Sequence, residues 1–305
     1  MEGEQIWPPV SWSQKLRLDF IEFRLLWEGR VNRSDLMNFF RISMPQASLD
    51  LAKYKELAPE NAVYDSTEKT YLAGPSFSPI LVPNSADGYL NRVLAVESGY
   101  LPQTSTFLGR LPPSGIVHGP TRSVDPLTLR TILQAIRTRC SVEIKYQSMS
   151  DANPGIRKIS PHALAFDGFR WHARAFCHRR QRYLDFVLAR MLQIAIDNVF
   201  DTDPAADIEW HSSLEAIVVP APHLSESQRK AIELDYGMQD GRLAVRVREA
   251  LMLYLLQHLG IYDEPVKDCE PTVQIALGNR SELEPFFKKH INEPRRIGRE
   301  PWERL

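Results

Sequence analysis

The hydrophobic pattern of the chain changes period along its length. From Lys15 to Gly29, KLRLDFIEFRLLWEG places Leu16, Phe20, Phe23 and Trp27 at helical spacing, with Gly29 as a stop. VNRSDLMNFFRI predicts a shorter helix, started by Ser34 or Asn32, with Leu36, Phe39 and Phe40 facing inward. SMPQASLDLAKYKELA predicts a third, with Ser43 at its N-cap, Pro45 in the first turn, where proline is tolerated, and Pro59 beyond its end. AVYDSTEKTYLAG then alternates apolar and polar residues on both sides of a polar turn, which predicts a β-hairpin. Prolines and glycines crowd the stretch from Pro75 to Asp125, interrupted by one helical segment, ADGYLNRVLAVESG. LTLRTILQAIRTR is amphipathic, with Leu129, Ile132, Leu133 and Ile136 on one side. After it the period becomes two, through SVEIKYQS, ISPHALAF, RWHARAFC and DFVLARMLQIAI, with turn signals at Asn153-Pro154-Gly155 and Asp167-Gly168. The last third alternates strand-like and helix-like segments: EAIVVPAP, SESQRKAIELDYG with a capping box at Ser225 and Gln228, GRLAVRV, EALMLYLLQHLG, PTVQIALG and SELEPFFKKH.

These elements predict an α+β multidomain chain. Three short helices and a hairpin are the order of a winged helix-turn-helix, whose third helix enters the major groove. On that reading Ser43, Gln46, Ala47, Ser48 and Asp50 lie toward base edges, while Lys53, Lys55 and Lys69 meet phosphates. The short strands closed by a helix predict a small barrel or strongly bent sheet. The alternation at the end predicts a small α/β domain. The expected division is residues 1–75 for the winged helix, 76–125 for a linker with a connecting or dimerisation helix, 126–203 for the barrel and 204–305 for the last domain.

Composition adds little: 305 residues, 43% hydrophobic and 25% charged, are those of an ordinary globular protein. Cys140, Cys177 and Cys269 are too few and scattered for a disulfide framework, and no apolar leader or membrane-length run is visible, so a cytoplasmic protein without membrane contact is expected. Charge is more informative. Between Thr121 and Arg190 thirteen Lys or Arg stand against five acids, whereas the first 75 residues carry nine basic and eleven acidic groups. A local excess of that kind suggests an anionic ligand for the middle of the chain.

In RWHARAFC, Arg170, His172, Arg174 and Phe176 share one parity, and Trp171, Ala173, Ala175 and Cys177 the other. The second set is expected to pack the core and the first to line an anion site, where arginine's planar fork suits phosphate. Arg190 falls in the apolar stripe Phe186, Leu188, Leu192, Ile194 and Ile196, so it must face an acid, such as Asp185 or Asp167, or an anion. Tyr146, Ser148 and His162 add hydroxyl and imidazole donors, and His162 and His172 also fit as half-buried histidines bonded to backbone. Enzymatic signatures are missing: no C-x-x-C pair, H-E-x-x-H helix, Walker loop, G-x-G-x-x-G or G-x-S-x-G occurs, so no catalytic residue, metal or cofactor is expected.

SVEIKYQSMS, ISPHAL, DGFRWHARAFC and DFVLARM together resemble the WYL domain, and the domain order resembles bacterial WYL-domain transcriptional regulators, especially those beside phage-defence systems of the BREX and CBASS types. ISMPQASLDLAKYKELAPENAVYDSTEKTY looks like their winged-helix segment, and the likeness spans nearly the whole chain, including a C-terminal domain of the kind called WCX. Where the family has Trp-Tyr-Leu, this chain has Trp171-His172-Ala173, so any role resting on the tyrosine is in doubt. The resemblance implies an Sm-like, SH3-type β-barrel with Tyr146, Ser148, His162, Arg170, His172, Arg174 and Arg190 at a ligand pocket. It also implies a homodimer that represses a phage-defence operon from a palindromic double-stranded operator and answers to a nucleotide or nucleic-acid effector. The competing expectation is a protein that binds RNA or single strands through the barrel itself.

Overall fold

The structure, a computed structural model, describes residues 11–117, 122–149, 152–199, 202–262 and 273–291. It divides into two units, Met1–Pro120 and Thr121–Leu305. The N-terminal residues and Cys269 lie outside the described residues.

In the first unit, α1 (Trp12–Glu28) starts at Ser11, whose hydroxyl accepts from the Gln14 N–H, and stops at Gly29 in the left-handed region at φ 70°. Asn32, rather than Ser34, caps α2 (Arg33–Phe40), in a reciprocal pair with Asp35. Ser43 caps α3 (Met44–Leu57). A two-residue strand, β1 (Arg30–Val31), too short to show a period, joins the hairpin β2 (Ala62–Asp65) and β3 (Thr70–Ala73) in the order β1-β3-β2. Phe20, Leu36, Ala47, Leu51 and Tyr54 form the core between them.

The stretch expected as a linker packs onto this core. Glu22, fully buried, accepts hydrogen bonds from the backbone N–H groups of Ile80, Leu81 and Val82 and from the Tyr54 hydroxyl. A buried carboxylate demands donors, and this segment supplies them. Phe107 inserts its ring among Phe20, Phe23 and Phe39, and Val93 of α4 (Ala86–Glu97) is buried with Phe23 and Leu108.

In the second unit, α5 (Pro126–Thr138) starts at Asp125, and Ile132 and Ala135 bury while Leu133, expected inside, is 43% exposed. Five antiparallel strands follow: β4 (Cys140–Tyr146), β5 (Gly155–Phe166), β6 (Trp171–Cys177), β7 (Arg182–Val187) and β8 (Met191–Val199), in the order β7-β6-β5-β4-β8. The continuous strand expected over 185–196 is broken by a 3₁₀ turn at Leu188–Arg190. The turn shifts the phase, so Leu188 and Met191 both bury while Leu192 is 56% exposed. Among the described residues β7 and β8 do not pair, so the sheet is open where a barrel would close.

Ala173, Ala175 and Cys177 pack the core of this sheet with Val142, Ile144 and Ile159, as their parity required. Trp171 does not; it is 48% exposed. It starts β6 at the mouth of the β5–β6 hairpin, where its cross-strand partner is Phe166 and the two rings lie 4.9 Å apart, beyond the edge of the core. The rest of the unit comprises α6 (Ile208–His211), β9 (Ser213–Pro220), α7 (Glu226–Asp235), β10 (Leu243–Arg248), α8 (Glu249–His258), β11 (Ile275–Leu277) and α9 (Glu284–Ile291). Its strands pair antiparallel in the order β10-β9-β11, over a core that includes Met252, Leu256 and Phe287.

Candidate nucleic-acid interface and effector site

In the amino-terminal half of α3, Met44, Pro45 and Leu49 are exposed. With 3.6 residues per turn, Ala47, Asp50, Leu51 and Tyr54 share one stripe, and all four are buried. Ala47 and Asp50, both expected toward base edges, therefore point into the domain. Asp50 receives Arg17 through Nε at 2.6 Å and Nη2 at 3.2 Å, and Nε2 of Gln46 at 3.2 Å. Ser43 is exposed and caps the helix through the Gln46 N–H. Ser48 accepts from Nε of Arg33 at 2.9 Å, and that guanidinium lies 5.7 Å from the ring of Tyr64 on β2. Arg33 thus ties α3 to the wing, a link invisible in the sequence because it joins residues from three elements. Lys53 pairs with Glu56 at 3.0 Å. Lys69 stands exposed in the hairpin turn at φ 49°, and Lys55 is exposed near the end of α3.

On β6 the cations meet the chain's own acids. Arg174 is 1% exposed. It donates to Asp207 from Nε at 2.7 Å and from Nη2 at 2.8 Å, to Glu209 from Nη2 at 3.0 Å, and to Asp185 from Nη1 at 3.4 Å. Burial opposes its charge, but the bonds and charges of Asp207, Asp185 and Glu209 outweigh burial and hold its pKa above the ordinary arginine value. Burial likewise opposes the Asp207 carboxylate, and Arg174 with His162, whose Nε2 lies at 2.9 Å, holds it well below the usual range. His172 lies 3.2 Å from Asp167, with the Tyr254 ring 5.2 Å away. Arg170 donates to the same carboxylate at 2.9 Å, and Asp167 is also held well below the usual range by His172 and by the backbone N–H groups of Phe169 and Arg170, against burial. Tyr254 of α8 donates to Asp185 at 3.0 Å, and burial beside that carboxylate pushes its hydroxyl's pKa well up.

The network continues into the last domain. Nζ of Lys289 bridges Glu209 at 3.0 Å and Glu249 at 2.7 Å. Oxygen and nitrogen ligand atoms of Glu209, Glu249 and His290 come within 4.8 Å of one another, and the Lys289 ammonium already bridges both carboxylates there. Sequence reasoning missed Asp207, Glu209, Tyr254 and Lys289. Asp207 and Glu209 lie outside the window in which the basic excess was counted, and they return to Arg174 across 33 and 35 residues.

The remaining candidates gather elsewhere. Tyr146, buried at the end of β4, accepts from the Val187 N–H at 3.2 Å and is hydrogen-bonded by Arg190. Burial raises the hydroxyl's pKa, while that N–H and the charges of Arg190 and Arg170 act against the rise. The Gln147 N–H donates to the Arg190 carbonyl at 3.0 Å, which lays the Ser148 segment along the 3₁₀ turn. Tyr146, Arg170 and Arg190 are thus brought together, with Ser148 two residues beyond Tyr146, whereas His162 and Arg174 converge on Asp207.

Three family descriptions match the chain in order: the BrxR transcriptional regulator winged helix-turn-helix domain over residues 13–95, the WYL domain over 127–196, and the BrxR C-terminal dimerization domain over 213–283. A CapW DNA-binding transcriptional repressor of Stenotrophomonas maltophilia is 40% identical over 283 residues, which cover 92% of this chain and 94% of that protein. The repressors of that name from Pseudomonas aeruginosa and Escherichia coli are 39% and 38% identical, each over 92% of this chain. With this likeness along nearly its whole length, the chain belongs to the CapW family of WYL-domain transcriptional repressors.

Proposed function

We propose that the chain is a DNA-binding transcriptional repressor that acts as a homodimer on a palindromic duplex operator. The observation that carries this reading is the exposed face of the amino-terminal half of α3 beside its wing, in a chain alike over 92% of its length to DNA-binding repressors. Ser43, Gln46 and Ser48 face the major groove, and Lys53, Lys55 and Lys69 approach phosphates. Ala47 serves from beneath, by seating α3 on its core. The functional division runs 1–75, 76–125, 126–203 and 204–305, with the match to a dimerization domain at 213–283 supporting assembly through the last part. The decisive measurement is a gel-shift on the DNA upstream of the chain's own gene, at about 150 mM salt, against scrambled duplex. Specific retardation with dimer stoichiometry is expected; equal binding to scrambled duplex overturns the reading.

The middle domain is the effector sensor. Its strand order, with a 3₁₀ turn between the two edge strands, supports an SH3-type barrel. A nucleotide or nucleic-acid fragment released during infection binds at Tyr146, Ser148, Arg170 and Arg190, where guanidinium groups and a hydroxyl converge. His162, His172 and Arg174 tie the sheet to residues 207–209 and to α8. An effector that disturbs Arg170 reaches Asp167 and His172, and through them the packing of Tyr254. Release of operator requires the effector to prefer the non-binding arrangement. The regulated genes on this reading are those of a phage-defence operon, and the protein is cytoplasmic and not an enzyme.

One observation favours a second reading. Phe166, Phe169 and Trp171 expose 48%, 68% and 48% of their surface at one hairpin, a platform on which single-stranded bases stack. If single strands outcompete the duplex upstream of the gene, that hairpin is the working surface and the repressor reading fails.

A further inference from the structure

The polar residues of α3 that could touch bases are already engaged within the protein. Gln46 donates to Asp50, Ser48 accepts from Arg33, and Lys53 is paired with Glu56. Part of their bonding capacity is therefore spent: Gln46 keeps its carbonyl oxygen and a second amide hydrogen for a base edge, and Ser48 keeps its hydroxyl hydrogen. On the face opposite the buried stripe lie Pro45, Leu49, Ala52 and Glu56, all exposed, and Leu49, at 64% exposure, is the large apolar residue among them. Leu49 thus presents an apolar side chain on the exposed face of α3. Arg33, bonded to Ser48, and Lys55 stand on one flank of it and Lys53, paired with the exposed Glu56, on the other, and cations on both sides suit a polyanion better than an apolar protein surface.

We propose that the operator is read in part through its thymine methyl groups, with Leu49 as the specificity-determining residue and Ala52 beside it. In the major groove the C5 methyl of thymine is the single apolar feature by which a base pair is distinguished, and a leucine side chain at the centre of the recognition face packs on it without exchanging any hydrogen bond. Gln46 and Ser48 then refine the choice at neighbouring pairs. The inference rests on the repressor reading above, and it names what that surface recognises.

The test uses the full chain and the retarded operator fragment, prepared once with thymine and once with uracil in its place, which removes the methyl groups and keeps every hydrogen-bonding group. Loss of each buried methyl lowers affinity about fourfold. The uracil fragment is therefore expected to bind at least that much more weakly to the native chain. Leu49→Ala, at an exposed position that leaves the fold intact, is expected to bind the thymine fragment more weakly and to be nearly indifferent to the exchange. Equal affinity of the native chain for both fragments overturns the inference while leaving the repressor reading standing. Uracil sensitivity that persists undiminished in Leu49→Ala assigns the methyl contact elsewhere and overturns the role of Leu49. Absence of any preference over scrambled duplex condemns the repressor reading itself.

Discussion

Lys53 and Arg174 are both cations on regular secondary structure, and they have opposite fates. Lys53 meets a carboxylate three residues away, with 28% of its side chain and 68% of its partner's still in water. Arg174 meets Asp207 across 33 residues, with 2% of each side chain exposed. A pair of the first kind contributes about 0–1 kcal/mol and is readily exchanged for a phosphate. A pair of the second kind cannot be opened without leaving a buried charge, which costs about 3–5 kcal/mol. The same residue types therefore do different work: on α3 they are available to a ligand, and on β6 they hold the sheet to the segment that enters the last domain.

The largest effect that would break this contrast is at Arg174. Arg174→Met should destabilise the chain by about 3–5 kcal/mol in urea titration, because Asp207, Asp185 and Glu209 lose their shared cation. Adding Asp207→Leu should recover part of the loss, since removing both partners of a buried pair is far less costly than removing one. If Arg174→Met leaves stability unchanged, the internal acids are not its partners in solution and an external anion becomes the better account.

Acid offers a milder probe of the same network. The native pKa values of Asp167 and Asp207 lie below the ordinary 3.8, so the stability they contribute is complete above that value. It is lost as pH falls from about 3.8 toward the native values, because protons then bind the unfolded chain first. Far-ultraviolet circular dichroism should show the second unit's strand signal failing in that range. Asp207→Asn should flatten the dependence.

Arg190→Ala should leave operator affinity within about twofold of the native chain and lower stability by about 1–3 kcal/mol, the worth of the hydrogen bond it gives to buried Tyr146. It should weaken effector-induced release of DNA at least tenfold, as expected for loss of a charge-assisted hydrogen bond worth about 1.5–3 kcal/mol. Operator release by nucleotides or short single strands, titrated by fluorescence anisotropy, reads both quantities. An unchanged response would place the effector away from Tyr146 and the 3₁₀ turn.

The contrast also marks what the sequence disclosed. Elements whose cause is local were legible: the Ser43 and Ser225 caps, the Gly29 stop, and the alternation that buried Ala173, Ala175 and Cys177. The basic excess between Thr121 and Arg190 is answered in part from outside that window, because two of the acids that meet Arg174 lie beyond it at Asp207 and Glu209. Arg190 reads as a strand residue because its apolar neighbours alternate on both sides; a three-residue turn preserves that alternation in sequence and shifts it in space. Trp171 has the parity of the core but lies at the hairpin mouth, and parity fixes a face, not the distance along it. Helical spacing from Tyr54 and Leu51 is enough to place Ala47 and Asp50 inside, and it prevails over the convention that the first turns of a recognition helix face DNA.

The smallest effect belongs to Lys69, at the far end of the wing. It is exposed at φ 49°, a left-handed conformation that asparagine tolerates better than most residues, so Lys69→Asn removes the charge without straining the turn. Asp65, whose carboxylate accepts from the backbone N–H groups of Thr67 and Glu68, keeps the turn closed in the variant. Stability should hold within about 0.5 kcal/mol. What should change is the salt dependence: the slope of log K against log salt falls by about 0.9 for each phosphate that is no longer neutralised, and a dimer leaves two such phosphates, one at each wing. Affinity should drop equally for operator and scrambled duplex, because phosphates carry no sequence. A slope that does not move would leave the wing off the backbone. A loss confined to the operator would mean that Lys69 reaches a base, and the cations of this surface would then specify the site as well as hold it.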